Sequence, residues 1–311
     1  MTLMDKFGTD DECRMVLEEL RWPEGPRCAR CGSDKLSRMY KRDQFDCDTC
    51  GYQFSVMAGT VFHDTHLPLR KWFMAAYIMC ESKKGVSANQ LKRMLGVSYK
   101  TAWYLCHRIR SAMVEAQGAL LAGIVEADET FIGGKLKAPK KEGERRWTGG
   151  VEGFDWRANK STVLGAIERG GKLRLRKARS NRKGQITAFL NAVVADEAAA
   201  IYTDELKSYK KVGDANTAHA SVNHRAEEWV RGEVHTNTVE SAWSLLKRSV
   251  IGSYHQLSKK HLDAYLAEFE FRFNNRENEY LFRDTLSRLV TSEVLPYSKL
   301  TGPRLVISDQ R

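Results

Sequence analysis

Hydrophobic and polar residues follow different patterns in three successive stretches of the chain. Residues 1–62 hold short polar turns rich in Cys and Gly, and residues 63–117 show apolar residues at helical spacing. Residues 118–300 alternate short apolar runs with helical patterns, and residues 301–311 form a C-terminal tail. The pattern predicts a multidomain α+β chain with a small β domain, a helical domain and an α/β domain.

The α/β stretch contains predicted strands, helices and one long irregular segment. Strands are predicted at 121–128, 161–167, 172–179 and 198–202, and helices at 186–194, 239–250 and 259–275. Residues 133–160 hold six glycines and eight Lys or Arg with little periodicity. This composition predicts a basic inserted loop, which would contact DNA or a second subunit.

Charge and composition narrow the class of partner. The chain has 311 residues, with 50 Lys and Arg against 39 Asp and Glu, and a formal net charge of +11. A positive surplus of this size favours a polyanionic partner such as nucleic acid. The first residues lack the apolar core of a secretory signal, and no apolar run reaches the roughly 18–20 residues of a membrane span. We therefore expect a cytoplasmic, nucleoid-associated protein without a membrane partner.

Four of the seven cysteines have the spacing of metal ligands. Cys28, Cys31, Cys47 and Cys50 form C-x2-C-x15-C-x2-C, and a glycine follows the second cysteine of each pair. Two such turns present four thiolates to one tetrahedral Zn²⁺. The alternative of four unrelated thiols fits the duplicated spacing poorly. The sequence therefore predicts a zinc ribbon with a structural zinc ion.

A helix-turn-helix is predicted after the zinc ribbon. Ser87 begins a capping-box pattern, Gly96 makes a turn, and Ser98 precedes a second helix with apolar residues on one face. The other face of this second helix carries Lys100, Tyr104 and Arg108. We predict that these residues bind DNA. The alternative is an ordinary helical hairpin whose polar face is solvated.

Basic residues also alternate with leucines along the predicted strand 172–179. Arg174 and Arg176 lie on one face of this strand, and Leu173 and Leu175 lie on the other. Two interpretations stay open. The arginines contact the phosphate backbone of DNA, or the segment is an edge strand whose charges prevent it from pairing with another chain.

Three acidic residues occupy positions suited to phosphodiester chemistry. Asp128 and Asp204 each end a predicted strand, and Glu240 begins a helix after 35 intervening residues. Carboxylates that converge in this way bind Mg²⁺ or Mn²⁺, and a pair of such ions activates the attacking oxygen and neutralises the leaving oxygen. Lys247, seven residues after Glu240 on the same helical face, would contact the DNA backbone. Ordinary surface acids remain the alternative, with two close competitors: Glu126 and Glu205.

Motifs along nearly the whole chain resemble those of one family. They are VEADETFIGGK at 125–135, YTD at 202–204, VHTNTVES at 234–241 with Trp243 and Lys247, GSYH at 252–255 and EFEFRFNNR at 268–276. Together they resemble the bacterial insertion-sequence DDE transposases of the ISXO-type group, which carry a zinc ribbon. The resemblance implies a ribonuclease H-like catalytic domain in which Asp128, Asp204 and Glu240 are the metal ligands.

Two questions around Glu240 stay open. Some relatives use an asparagine as the third ligand, and Asn237 lies three residues before Glu240. We favour Glu240 because a carboxylate carries charge and because of its spacing to Lys247, whereas Asn237 suits a position at or near the helix N-cap. His224 and His235 flank this segment as ligands, proton shuttles or hydrogen-bonded structural residues, and we favour the structural role.

The resemblance implies a DNA transposase. Such a protein would bind the inverted-repeat ends of its insertion sequence, hydrolyse a DNA strand to free a 3′-hydroxyl, and join that hydroxyl to target DNA. Its expected partner is double-stranded DNA, on which it would act as a homo-oligomer. Two alternatives stay open: a zinc-ribbon and helix-turn-helix transcription regulator with an inactive transposase-like domain, and a metal-dependent nuclease that does not join ends.

Overall fold

The computed structural model describes residues 7–115, 118–133, 160–209 and 217–302. The chain forms two compact units, of which the first comprises Met1–Val114 and Asn275–Arg311 and the second Glu115–Asn274. The predicted inserted loop at 133–160 and the predicted tail at 301–311 lie almost wholly outside the described residues. No helix within these described ranges is long and apolar enough to cross a membrane.

The elements are numbered along the chain. The α-helices in the described residues are α1 Asp10–Arg21, α2 Leu69–Glu81, α3 Ala88–Leu95, α4 Tyr99–Ala112, α5 Lys183–Val193, α6 Asn237–Ser249, α7 Leu262–Asn274, α8 Leu281–Thr291 and α9 Tyr297–Thr301. The strands in the same residues are β1 Leu36–Met39, β2 Gln44–Cys47, β3 Gln53–Phe54, β4 Ile124–Ile132, β5 Ser161–Glu168, β6 Leu173–Ala178, β7 Ala200–Thr203 and β8 Ala218–Ser221.

The first unit contains a small three-stranded antiparallel sheet, which follows α1. Its strands pair in the order β1-β2-β3. Trp22, Phe45 and Phe54 pack together beside the strands, with ring centroids between 5.6 and 6.0 Å apart. This aromatic cluster is small, so a domain of this size needs a further constraint such as a bound metal to stay folded.

The predicted helix-turn-helix is present in the first unit. Ser87 caps α3 by accepting a hydrogen bond from the Gln90 backbone N–H at 3.1 Å, and Ser98 caps α4 in the same way. Gly96 ends α3 with a φ of +59°, a left-handed conformation that glycine adopts without strain. The turn residues therefore act where the sequence predicts them.

Helix α8 packs within the first unit, although it lies near the other end of the chain. Phe282 lies 6.0 Å from both Phe7 and Phe73, measured between ring centroids. Cys80 of α2 and Thr285 of α8 are buried together, with Sγ and Oγ1 3.1 Å apart. The sequence-based division assigns residues 118–300 to one catalytic domain, whereas these contacts group α8 with Phe7 and α2 of the first unit.

The second unit is built on a five-stranded mixed sheet. The strand order is β6-β5-β4-β7-β8, with β4, β5 and β6 antiparallel and with β7 and β8 parallel to β4. Helix α5 packs its apolar residues on one face, and α6 and α7 pack theirs on the other. This is the ribonuclease H-like arrangement that the motifs predict, and the mixed α+β fold class is confirmed.

Strand β4 is longer than predicted, which corrects the location of Asp128. The apolar pattern indicates that the strand ends at Asp128, but pairing with β5 continues to Ile132 opposite Ser161. Thr130 and Ile132 are buried and extend the strand beyond the acid. Asp128 therefore lies in the middle of a central strand, where paired backbone on one side and packed side chains hold it in place.

Candidate active site

The four cysteines of the zinc ribbon lie together. The Sγ atoms of Cys28 and Cys50 are 3.7 Å apart, those of Cys31 and Cys47 are 3.6 Å apart, and all four lie within 4.8 Å of one another. Four sulfurs at about 2.3 Å from one tetrahedral zinc ion are about 3.8 Å apart, so the quartet fits the ion. The glycines after the two pairs have φ of +74° and +65°, as such turns require.

Freshly purified, reduced protein is expected to contain about one zinc per chain. Cys31→Ser should release the ion and unfold the ribbon, because three thiolates and a hydroxyl bind zinc poorly, while the second unit stays folded. Metal analysis and limited proteolysis check both results. Cys106→Ser, at a buried cysteine outside the quartet, is the control and should keep its zinc. Full zinc content in Cys31→Ser would contradict the assignment.

Two of the residues predicted to bind DNA are accessible on α4. Lys100 is exposed, and its Nζ lies 4.7 Å from the centroid of the Tyr297 ring. Tyr104 is half-buried, and its hydroxyl donates to the Leu295 carbonyl at 2.6 Å. Lys100 is therefore exposed enough to reach a phosphate if it leaves the Tyr297 ring, whereas Tyr104 is held by the first unit itself.

Arg108 does not lie on an exposed face, which corrects the sequence-based assignment. It is only 4% exposed, and its Nη2 donates to the His63 carbonyl at 2.6 Å. Its guanidinium lies 4.9 Å from the Trp72 ring and 5.1 Å from the Tyr104 ring. Burial lowers the pKa of this arginine. Helical spacing groups Arg108 with Lys100, but the segment before α2 covers that end of α4.

Arg108→Ala is accordingly expected to destabilise the protein by about 2 kcal/mol, because it removes a charged hydrogen bond and two cation–π contacts. Urea denaturation measures this. Lys100→Ala is the matched control on the same helix and should change stability by less than about 0.5 kcal/mol while weakening DNA binding. If Arg108→Ala is as stable as the parent protein but loses sequence-specific DNA binding, Arg108 contacts DNA as the sequence predicts.

The arginines of β6 make different contacts. Nη1 of Arg174 lies 3.2 Å from Glu115 Oε2 and 3.5 Å from Glu270 Oε1, and 13% of its side chain is exposed. Arg176 is exposed, with its guanidinium 5.4 Å from the Phe189 ring. Two carboxylates neutralise Arg174, so of the two arginines Arg176 is the better suited to contact a phosphate.

Strand β6 is an edge strand, and α7 covers part of that edge. The backbone N–H of Leu173 donates to Asn274 Oδ1 at 2.7 Å, and that of Leu175 donates to Glu270 Oε2 at 2.8 Å. Side chains of α7 thus replace a neighbouring strand at these two positions. This arrangement supports the edge-strand interpretation of the segment.

Asp128 is the most constrained member of the acidic set. Its Oδ2 accepts a hydrogen bond from the Trp243 indole at 2.8 Å. Gly165 is paired with Asp128 in the sheet and makes room for this ring, since a Cβ there would lie 2.5 Å from Trp243. Burial, with the charges of Glu129 and Asp204, raises the pKa of Asp128 to about 7. A divalent cation would offset this repulsion, so the oxygen-rich site suits one.

Asp204 directly follows β7, as the sequence predicts. In the parallel pairing of β4 with β7, Glu126 is level with Tyr202. Continuing this register by two residues places Asp204 level with Asp128. The Asp204 carboxylate accepts a hydrogen bond from the Leu206 backbone N–H at 3.0 Å, which fixes the turn after the strand. The sheet therefore brings these two predicted ligands together.

Glu129 is an acid beside this pair that the sequence interpretation did not single out. Successive residues of a strand point to opposite faces, so Glu129 faces α5 while Asp128 faces α6. Its carboxylate accepts hydrogen bonds from Asn181 Nδ2 and the buried Tyr209 hydroxyl, each at 3.0 Å. Burial raises the pKa of Glu129. Its position next to Asp128 is the only signal for it in the sequence.

Glu126 is fully buried and binds the N-terminus of α6. Its carboxylate accepts hydrogen bonds from the backbone N–H groups of Thr238 and Val239 at 2.7 and 3.1 Å, and from the Thr238 hydroxyl at 2.8 Å. Arg169 Nε donates at 2.8 Å, and His235 Nδ1 lies 3.2 Å away. The first N–H groups of a helix lack intrahelical acceptors and favour an anion. Glu126 therefore fastens α6 to β4.

Glu240 lies in the first turn of α6 with its carboxylate half exposed. The Thr236 hydroxyl donates to Oε1 at 3.0 Å, and His224 Nε2 lies 3.9 Å from the same oxygen. Asn237 is exposed as the first residue of the helix, next to the N-cap residue Thr236. Lys247 is exposed on the same helix. Glu240 thus has an accessible carboxylate with one hydrogen-bond donor fixed beside it.

The three predicted ligands are not gathered as tightly as the cysteines. Within the described part of the chain, the cysteine quartet is the one group of three or more His, Cys, Asp or Glu whose ligand atoms all lie within 4.8 Å of one another. Asp128 and Asp204 share one level of the sheet, and Glu240 approaches from α6. Two cations about 4 Å apart require ligands spread more widely than one ion does.

Two family models match the chain. Residues 8–53 match the transposase zinc-ribbon domain, and residues 120–274 match the ISXO2-like transposase domain. The first range contains the cysteine quartet, and the second contains all three predicted acidic ligands. Each matched range therefore contains one of the two sites that the spacing of Cys, Asp and Glu predicts.

Similar proteins include an uncharacterized protein in transposable element ISH50 of Halobacterium salinarum. It is 30% identical over 273 residues, which cover 86% of this chain and 91% of that protein. An uncharacterized transposase-like protein of Haemophilus influenzae is 30% identical over 77 residues, which cover 25% of this chain and 61% of that protein.

Two solved structures of low similarity complete the comparison. The Mos1 strand transfer complex is 12% identical with a TM-score of 0.29, covering 70% of this chain and 74% of that one. A simian T-cell lymphotropic virus intasome in complex with PP2A regulatory subunit B56 gamma is 13% identical with a TM-score of 0.28, covering 74% and 76%. At such TM-scores the likeness adds nothing to the topology described above.

Proposed function

This chain belongs to the family of ISXO2-like transposases, and we propose that it cleaves a DNA strand at the ends of its insertion sequence and joins the freed 3′-hydroxyl to target DNA. One observation carries the proposal: Asp204 directly follows β7, where the register continued from β4 brings it level with Asp128, and Glu240 lies in the first turn of the helix that is fastened to the same sheet. Mg²⁺ or Mn²⁺ ions held there would supply an activated attacking oxygen and charge neutralisation at the leaving oxygen.

Different residues of the chain would have different roles in this reaction. Asp128, Asp204 and Glu240 hold the cations, and Trp243 fixes the orientation of the Asp128 carboxylate by its hydrogen bond at 2.8 Å. Lys247, exposed on α6, contacts the phosphate backbone. Double-stranded DNA is the partner of the helix-turn-helix, and the protein acts as a homo-oligomer on DNA in the bacterial cytoplasm.

Incubation of the full chain with DNA from the ends of its own element, target DNA and Mg²⁺ tests the proposal. Cleavage followed by joining of the 3′ ends is the expected result. Cleavage without joining would identify a nuclease instead, and specific binding without cleavage would identify a regulator. Omission of the divalent cation should stop cleavage while binding persists.

The third ligand can be identified by two substitutions in the first turn of α6. Glu240→Gln is expected to reduce Mg²⁺-dependent cleavage by about a hundredfold or more, because it removes a charge that holds divalent cations. Asn237→Ser keeps a short polar side chain at an exposed position and should retain much of the activity. Cleavage rates measured at saturating DNA decide this. Near-normal cleavage by Glu240→Gln and inactivity of Asn237→Ser would reverse the assignment.

A further inference from the structure

One exposed aromatic side chain lies beside the proposed active site. Trp229 is 57% exposed, and its ring centroid is 4.8 Å from that of His224. His224 Nε2 is in turn 3.9 Å from Glu240 Oε1. The next residue, Val230, is 52% exposed. Exposure of single apolar residues is common in proteins, so the location of this tryptophan, one side chain away from a predicted metal ligand, is the informative point.

The loop that carries Trp229 is held by backbone hydrogen bonds on both sides. Before it, the Glu228 N–H donates to the Asn223 carbonyl at 3.1 Å. After it, Arg231 and Val234 exchange two backbone hydrogen bonds of 2.9 and 3.0 Å. The loop is therefore held in place by its own backbone hydrogen bonds, and the Trp229 indole is exposed even so.

The charges around Trp229 indicate which part of a nucleotide, the phosphate or the base, this loop would contact. The charged residues nearest to it in the chain whose side chains the structure describes are of mixed sign: Glu227, Arg231 and Glu233 are exposed, and Glu228 is half-buried. The Arg231 guanidinium already donates to the Ser221 carbonyl at 2.9 Å. Because these three acids outnumber Arg231, a phosphate backbone would meet more repulsion than attraction from them. The uncharged face of a base would meet an uncharged ring, and stacking requires no charge.

We propose that Trp229 stacks on a base of the DNA strand next to the bond that is cleaved, and holds that base out of the duplex. The inference rests on the proposed function, because it is Glu240 that marks this region as the cleavage site. Both faces of a base inside a duplex are covered by its neighbours, so away from a duplex end an exposed indole can stack only on an unpaired base. The ligand class is therefore a single-stranded or locally unpaired nucleotide.

The experiment compares single-stranded and duplex DNA with the full-length protein. Fluorescence anisotropy at moderate salt, which weakens phosphate contacts, gives the Kd for a labelled oligo-dT strand and for a duplex of equal length. Trp229→Ala should weaken single-strand binding about tenfold, and Trp229→Phe should keep most of it. Duplex affinity should stay unchanged in both variants. Tyr280→Ala is the matched control, since this tyrosine is 65% exposed in the first unit.

Each outcome decides the inference independently of cleavage. Equal single-strand affinity of Trp229→Ala and the parent protein would overturn it, as would an equal loss of affinity for both forms of DNA. Dissociation of an oligomer by Trp229→Ala in sedimentation, with unchanged DNA binding, would identify the loop as a protein contact instead. A parent protein that fails to cleave its element ends would refute the proposed function, yet the binding comparison would still test base stacking.

Discussion

Asp128→Asn is expected to abolish metal-dependent strand cleavage and to leave the fold intact. The amide keeps the size of the side chain and can accept the hydrogen bond from Trp243, but it carries no charge for a cation. Loss of one ligand from a shared metal pair should slow cleavage by about a thousandfold, which is roughly 4 kcal/mol of barrier. Cleavage rates at saturating Mg²⁺ measure this, and Asp204→Asn should behave in the same way.

A stability measurement separates this loss from misfolding. Burial and two neighbouring acids raise the pKa of Asp128 to about 7, which means that the folded protein disfavours the ionised carboxylate. Without metal at alkaline pH, Asp128→Asn should therefore unfold at the same temperature as the parent protein or a higher one. Glu205→Gln is the matched control next to Asp204, because its oxygen can still accept from the His224 N–H. Near-normal cleavage by Asp128→Asn would remove this residue from the metal site.

Glu126→Ala is expected to have the largest effect on stability. It leaves Arg169 without its buried carboxylate and removes the acceptor of two N–H groups at the start of α6. Breaking a buried ion pair in this way costs about 3–5 kcal/mol. Thermal unfolding of the second unit should shift strongly downward, while the zinc content of the first unit stays unchanged. Glu126→Gln keeps one acceptor oxygen, so its unfolding temperature should lie between those of Glu126→Ala and the parent protein.

The same variant tests whether Glu126 has a direct role in the chemistry. If Glu126→Ala is as stable as the parent protein and has nevertheless lost cleavage, Glu126 is a metal ligand and not the acceptor at the end of α6. Mn²⁺ affinity, measured by calorimetry on folded variant protein, distinguishes these roles. We expect the Mn²⁺ affinity of Glu126→Ala to fall only because loss of the contact with α6 shifts the position of Glu240.

Features fixed by nearby residues could be predicted from the sequence. The paired cysteines, the caps at Ser87 and Ser98, and the strand before Asp204 depend on residues a few positions apart, so their spacing carries the information. Four of the five strands of the sheet followed from apolar runs separated by turn residues, whereas β8 was not predicted, and β4 extends beyond the acid at which its apolar run ends. That extension depends on pairing with β5, which no local pattern records.

Features that depend on distant contacts could not be predicted. Glu126 and Asp128 share one face of β4, and only the arrival of α6 makes the first a buried acceptor and the second a candidate ligand. Arg108 has the periodicity of an exposed residue, but the segment around His63 covers it. In both cases periodicity identifies the face of an element, whereas the chain segment that packs on that face is determined by tertiary structure.

The closed edge of β6 bears on how copies of this chain can assemble. An open edge strand is a template on which the backbone of another molecule can add, both in functional complexes and in aggregates. Here a second copy would first have to displace the hydrogen bonds that Asn274 and Glu270 make to Leu173 and Leu175. A continuous intermolecular sheet is therefore disfavoured at this edge. Association of protomers there would have to use side-chain surfaces instead of backbone pairing.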